Sequence, residues 1–297
     1  MGIAETSWLK QTHPIVPRRP RFDLGATPLH WLADDPLTTH MLNIMQILAP
    51  TEKWFCQTFR EAQPYIRDER LAEAVSAFIK QEGAHNLAHA EVARRISALG
   101  IDAERYARQV EWLFVDMLGT APLGRKLRNP RARLAWLKAR LAMIAAFEHL
   151  TTVLGNWILN TSAFDEAPAD PVILELYRWH GAEEVEHCEV ADALFRHLSG
   201  SYALRVAGAA FIFPLLAGLA GNGAVRLVAD DPALPHRLRW RDYRRAARQG
   251  RIFGPGVMIR ACLRYLGPGH SPLDECSAEQ ALHYLSNFER GNKKQHP

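Results

Sequence analysis

At 297 residues, with 48% hydrophobic and 23% charged side chains, the chain is long enough for a substantial core and too mixed for a disordered or fibrous protein. A net charge of +4 decides nothing about partners, but residues 237–264 hold nine arginines against the single acid Asp242, which leaves the remainder at −4. Four cysteines, at 56, 188, 262 and 276, form neither a C-x-x-C pair nor a zinc-ribbon spacing, so reduced thiols and a cytoplasmic location are expected.

The N-terminal segment has no apolar signal-peptide core; Gly2 and Thr6 fit the loose myristoylation pattern M-G-x-x-x-[ST]. Prolines 14, 17, 20 and 28 predict that residues 1–36 form an extended arm rather than a packed element. From there Ala, Leu, Arg and Glu dominate and strand-type alternation is scarce, which predicts an all-α fold. The first helix is expected over 37–63, interrupted at Pro50, and the second over 68–98, stopped by Gly100. A third covers 102–118. A fourth covers 130–161 behind the Asn129-Pro130 start signal, and a fifth 170–198 behind Asp170-Pro171. Residues 37–200 thus read as a four-helix bundle, and 201–297 as a helical C-terminal extension packed on it, ending in a short helix near 277–290.

Residues 206–225, "VAGAAFIFPLLAGLAGNGAV", are twenty uncharged residues between Arg205 and Arg226. The length suits a membrane span. The four glycines, Pro214 and Asn222, with arginines at both ends, favour a buried hairpin against the bundle. For the arginine-rich segment three readings stay open: a solvated helical face, a contact with an anionic membrane surface through 203–264, or recruitment of an anionic substrate. No binding motif accompanies the charge, so nucleic acid is not expected.

Four helices carry a carboxylate among apolar neighbours. Glu52 lies in "ILAPTEKWFCQTF"; Glu82-x-x-His85, with His89 one turn on, lies in "FIKQEGAHNLAHAEV". Glu148 and His149 are the only ionisable residues between Arg140 and Asp165, and Glu184-x-x-His187 sits in "RWHGAEEVEHCEVADALF". At about 100° per residue, His180, Glu184 and His187 share a stripe roughly 60° wide. Glu183 flanks that stripe, and Glu186 is expected to point away from it. Solvated helix faces would also carry such residues. However, the order Glu, Glu-x-x-His, Glu, Glu-x-x-His is the recipe for a di-metal carboxylate centre inside a four-helix bundle. Four carboxylates balance two divalent cations; buried and ionised without them, they would have to take up protons. The nitrogen and oxygen donors suit iron, with manganese or zinc as alternatives.

The segments "FIKQEGAHNLAH" and "WHGAEEVEHCEVADALF" resemble the signatures F-I-x-Q-E-x-x-H-x-x-x-H and W-H-x-x-E-E-x-E-H-x-x-V-A-F-D of the bacterial family called predicted metal-dependent hydrolases. That family looks like the wider ferritin-like di-iron class. Glu52 followed by "KWF" and the turn "YLGPGHSPLD" at 265–274 agree, whereas Thr51 stands where the family has glycine and Cys188 where a basic residue is expected. His180, four residues before Glu184, is similar to the additional histidine of arylamine N-oxygenase-type di-iron enzymes. The resemblances imply a ferritin-like bundle in which Glu52, Glu82, His85, Glu148, His180, Glu184 and His187 hold two metal ions. His89, His149 and Glu183 are candidates to orient those ligands from behind, or ordinary core and flank residues; Trp179 reads as a bundle aromatic and Cys188 as a buried inert thiol.

Three functions compete on these grounds. One is a di-iron oxidoreductase that uses O2 on a small organic substrate in an apolar pocket. Another is a two-metal hydrolase with hydroxide held between the ions as nucleophile, and a third is a non-catalytic iron-binding bundle. A homodimer is a further expectation, since bundles of this kind pair.

Overall fold

The structure is a computed structural model that describes residues 9–11, 13–234 and 237–295; the Gly2 and Thr6 pattern lies outside them. The fold is all-α: among the described residues the only β-type pairing is an isolated bridge between Leu32 and Ala169. Side-chain caps open helices at Asn129 and Asp170 as expected and at Asp35 and Asp68 besides. Asp35 caps α1 (Pro36–Ile47), Asp68 caps α3 (Glu69–Ala98), Asn129 caps α5 (Pro130–Asn160) and Asp170 caps α6 (Pro171–Glu186), each accepting from a first-turn N–H. Pro50 opens α2 (Pro50–Ala62) and thereby splits the first predicted helix. The third predicted helix is α4 (Ala103–Glu111), which runs into one π-helical stretch, Trp112–Met117.

Helices α2, α3, α5 and α6 enclose the core and bring Trp54, Phe55, Phe59, Phe78, Leu141, Ile144 and Val185 out of water. α5 and α6 approach closely where Gly155 faces Gly181: a Cβ on Gly155 would lie 2.4 Å from the Gly181 carbonyl oxygen. Only glycine permits that backbone contact.

Three expectations change. The arm is packed, with Leu9, Ile15, Phe22, Leu24, Trp31 and Leu32 buried, because its apolar residues cover the outside of α6 and its neighbours. The fifth predicted helix breaks after Glu186. Residues 187–189 form a turn before α7 (Val190–Leu198), and the Glu189 carboxylate in that turn accepts the Lys10 and Gln11 backbone N–H groups. Finally, 206–225 is no hairpin. It lies within one helix, α8 (Tyr202–Asp230), which continues through Pro214. Gly208 and Gly223 serve contact rather than turning: a Cβ there would meet Ala142 of α5 at 2.8 Å and Ile44 of α1 at 2.0 Å.

By length and composition both α5 and α8 could cross a membrane, but α5 is mostly buried inside the protein whereas α8 buries only 28% of its apolar window. Beyond α8 follow α9 (Trp240–Arg248), α10 (Pro255–Leu266), a 3-10 turn (Pro272–Glu275) and α11 (Ala278–Gln295).

Candidate metal centre

The seven sequence-predicted residues converge. Donor atoms of Glu52, His85 and His180 form one group, and those of Glu82, Glu148, Glu184 and His187 another; within each, all lie within 4.8 Å of one another. Two carboxylates span both groups. Glu184 places Oε1 2.8 Å from His180 Nε2 and 3.5 Å from His85 Nδ1, and Oε2 3.5 Å from His187 Nε2. Glu82 Oε1 lies 3.7 Å from His85 Nδ1 and 3.3 Å from His187 Nε2, while Glu148 Oε2 is also 3.3 Å from His187 Nε2. Ligands roughly 2.0–2.2 Å from a shared ion sit about 3.0–3.5 Å from one another, so most of these separations suit coordination.

The hydrogen-bond ledger tests the fit. Both oxygens of Glu82 and Glu148, one each of Glu52 and Glu184, His85 Nδ1 and His187 Nε2 are buried without a hydrogen-bond partner. Eight orphaned donor atoms facing one spot would be costly in a finished protein core. Two cations satisfy them together, and the residues present fit such a pair.

The imidazoles are oriented from behind. His85 donates from Nε2 to Glu183 Oε2 at 2.9 Å, leaving the Nδ1 lone pair toward the carboxylates. His187 donates from Nδ1 to Gln81 Oε1 at 2.9 Å, which frees Nε2. His180 Nδ1 meets His89 Nε2 at 3.1 Å, and His89 in turn bonds Gln46 through Nδ1. A fixed tautomer and ring plane on a metal-binding histidine is the usual work of such partners.

Two residues escaped the sequence reading. Gln81 holds His187 and also donates 2.6 Å to Glu186; Arg18 of the arm reaches Glu183 at 3.1 Å and Glu186 at 2.9 Å. Glu186 does face away from the seven, as its angle predicts, yet it is fully buried and anchors this outer layer. The candidate His149 is corrected. It turns from the centre toward α10, donating from Nε2 to the Ala261 carbonyl, and groups with His270 and Glu275. Its position follows from α5 itself, since adjacent helical residues cannot face the same way. Trp179 is wholly buried, packed edge-on against His85 and flanked by Phe22 and Phe288. Cys188 is buried with its sulfur 3.7 Å from that of Cys276.

Charge is finely divided at the centre. Burial and the Glu82 and Glu184 charges push Glu52 well above the usual carboxylate range, and burial with Glu184 and Glu82 does the same to Glu148. Burial opposes ionisation of Glu184, but His187 and His180 hold it well below. Burial likewise disfavours charged His85 and His187, yet Glu183 and Glu82 raise the first and Glu184 and Glu148 the second.

A cavity of about 640 Å³ reaches the centre, with Glu52, Glu82, Glu148, His180 and Glu184 at its floor. Phe55, Phe147, Leu154 and Ile158 wall it, and α8, α9 and α10 close its outer half with Phe213, Leu216, Tyr243 and Met258.

The profile of the family described as "predicted metal-dependent hydrolase" matches residues 16–275, a span that includes every residue of the centre. No curated protein and no solved structure matches the chain. The match runs from the arm through the turn after α10, and the chain belongs to the family of predicted metal-dependent hydrolases.

Proposed function

We propose that this chain is a dinuclear iron enzyme, which oxidises an organic substrate with O2 in an apolar pocket. One observation carries the reading: apart from the ligands themselves, the described lining of the cavity contains no Asp, Glu, His or Lys. A hydrolase working on an ester, amide or phosphate profits from an acid for the leaving group and from wet, polar walls. A long apolar chamber ending on carboxylates and imidazoles instead excludes water and suits an unactivated carbon substrate.

A pair of iron ions at Glu52, Glu82, His85, Glu148, His180, Glu184 and His187 would supply the redox capacity for O2. The protein's own contribution is positional. Glu82 and Glu184 reach both groups, Gln81, Glu183 and His89 lock the imidazole planes, and Phe55 and Phe147 keep water from the floor. The order Glu, Glu-x-x-His, Glu, Glu-x-x-His on α2, α3, α5 and α6 supports a ferritin-like centre.

The second reading is metal-assisted hydrolysis, with the ions polarising the scissile group. The family description favours it, while the apolar lining of the chamber favours oxidation.

The two separate cleanly. Protein purified without oxygen is analysed for metal, then given O2 in an electrode chamber, and separately assayed on p-nitrophenyl esters and phosphates. Two irons per chain, O2 uptake and no ester or phosphate turnover are expected. Tightly bound zinc with turnover of an ester and no O2 uptake would establish hydrolysis instead. Full metal content in both Glu148→Ala and His187→Ala would remove the centre altogether.

A further inference from the structure

We infer that the face built by α8, α9 and α10 docks on an anionic membrane surface, and that the cavity behind it draws from that surface a single-chain amphiphile with an anionic head. The docking half stands by itself; the substrate half rests on the catalytic reading of the dinuclear centre.

The apolar half of the argument is in α8. Its inner side is committed to α5 and α1 through Gly208 and Gly223, which leaves its outer side to meet a membrane surface. Its outer side still presents Ala207, Ala210, Phe211, Pro214 and Val225 to solvent, within a stretch that carries no charge from 206 to 225. The next two helices continue this surface. Trp240 is 61% exposed, Ile259 59% and Leu263 63%, large side chains that a soluble protein has no reason to leave together in water. Val225, Trp240 and Ile259 are exposed and also line the cavity, so the exposed apolar surface is the rim of the entrance.

Charge selects the partner. Residues 237–264 carry nine arginines and one acid, and Arg239, Arg241, Arg244, Arg248 and Arg260 are exposed. Exposed apolar side chains and exposed arginines on the same two helices, with Trp240 among them, match the headgroup boundary of an anionic leaflet. Nucleic acid would gain nothing from Phe211, Ile259 and Leu263. The same arrangement defines the ligand. The exposed Arg239 lines the mouth, the walls beyond are largely apolar, and the four carboxylates and His180 line the cavity where it reaches the centre. An anionic head therefore stays at Arg239 while the chain enters, and its carbons, not its head, meet the centre.

The test uses the full chain. Sedimentation with phosphatidylcholine vesicles, with and without phosphatidylglycerol, should pellet the protein only with the anionic set, and added salt should release it. Phe211→Asp with Leu263→Asp, both on the surface and away from the cavity lining, should lower vesicle binding about tenfold or more while metal content stays unchanged. Wild-type protein that ignores anionic vesicles, or that binds a duplex oligonucleotide in their place, overturns the docking. So does a double variant that binds as wild type does. For the ligand, cis-parinaric acid should fluoresce on binding and be weakened several-fold by Arg239→Glu. No uptake of the probe by protein that docks overturns the substrate class alone. Metal content measured in every sample separates either failure from failure of the dinuclear centre.

Discussion

Gln81 uses one amide twice: its oxygen accepts from His187 Nδ1 and its nitrogen donates to Glu186. Replacing it with leucine removes the acceptor that fixes the imidazole but none of the seven ligands. Metal affinity is expected to fall roughly 10- to 100-fold in Gln81→Leu, read by competitive titration, with helicity retained. Affinity should also depend on pH, with a definite sign. His85 and His187 are raised, as are Glu52 and Glu148, so as pH falls all four bind protons more readily than ordinary residues. Cations must displace those protons, so apparent affinity should weaken progressively with acidification and proton release should accompany loading, measurable by calorimetry in buffers of different ionisation heat. The convergence of the seven residues was legible in the sequence, since helical spacing places Glu82 with His85 and Glu184 with His180 and His187. Gln81 and Arg18 were not, because nothing at their own positions announces a bond to a residue more than a hundred positions away.

Among the elements, the α5–α6 contact sets how far Glu148 stands from Glu184. A Cβ on Gly181 would lie 2.4 Å from Ile158 Cγ2 and 3.0 Å from the Gly155 backbone, with no room to yield toward the backbone. Gly181→Ala should therefore part the helices, cost about 1–3 kcal/mol by thermal melting and lower metal content in parallel. Two helix starts were readable from Asn129 and Asp170, whose side chains act locally. Two helix ends were not. α6 stops after Glu186 in a turn whose carboxylate binds the distant arm, and α8 runs straight through Pro214, Asn222 and four glycines. Gly, Pro and Asn usually signal a turn; here Gly208 and Gly223 are small so that α8 can lie against α5 and α1. Sequence pattern cannot separate a glycine that bends the chain from one that admits a neighbour.

Across the whole molecule, Arg18 ties three distant parts together. It binds Glu183 and Glu186 on α6 and Glu289 on α11, at 3.1, 2.9 and 2.6 Å, and the two α6 carboxylates are fully buried. Arg18→Ala would leave Glu186 without its countercharge and Glu183 with His85 alone, and a loss of about 3 kcal/mol in chemical denaturation is expected. Phe22 and Phe288 enclose Trp179 from the same two segments, so arm and last helix meet directly behind His85. That meeting orders events in time. During synthesis, residue 18 emerges early and has its α6 partners only after residue 186, and the clasp closes only once residue 289 has left the ribosome. Until then Glu183, which positions His85, and Glu186, which holds Gln81 behind His187, share an Arg18 that lacks its contact with Glu289. The backing of the centre is thus completed by two segments far apart in the chain, and a polypeptide that stops before residue 289 lacks one side of it.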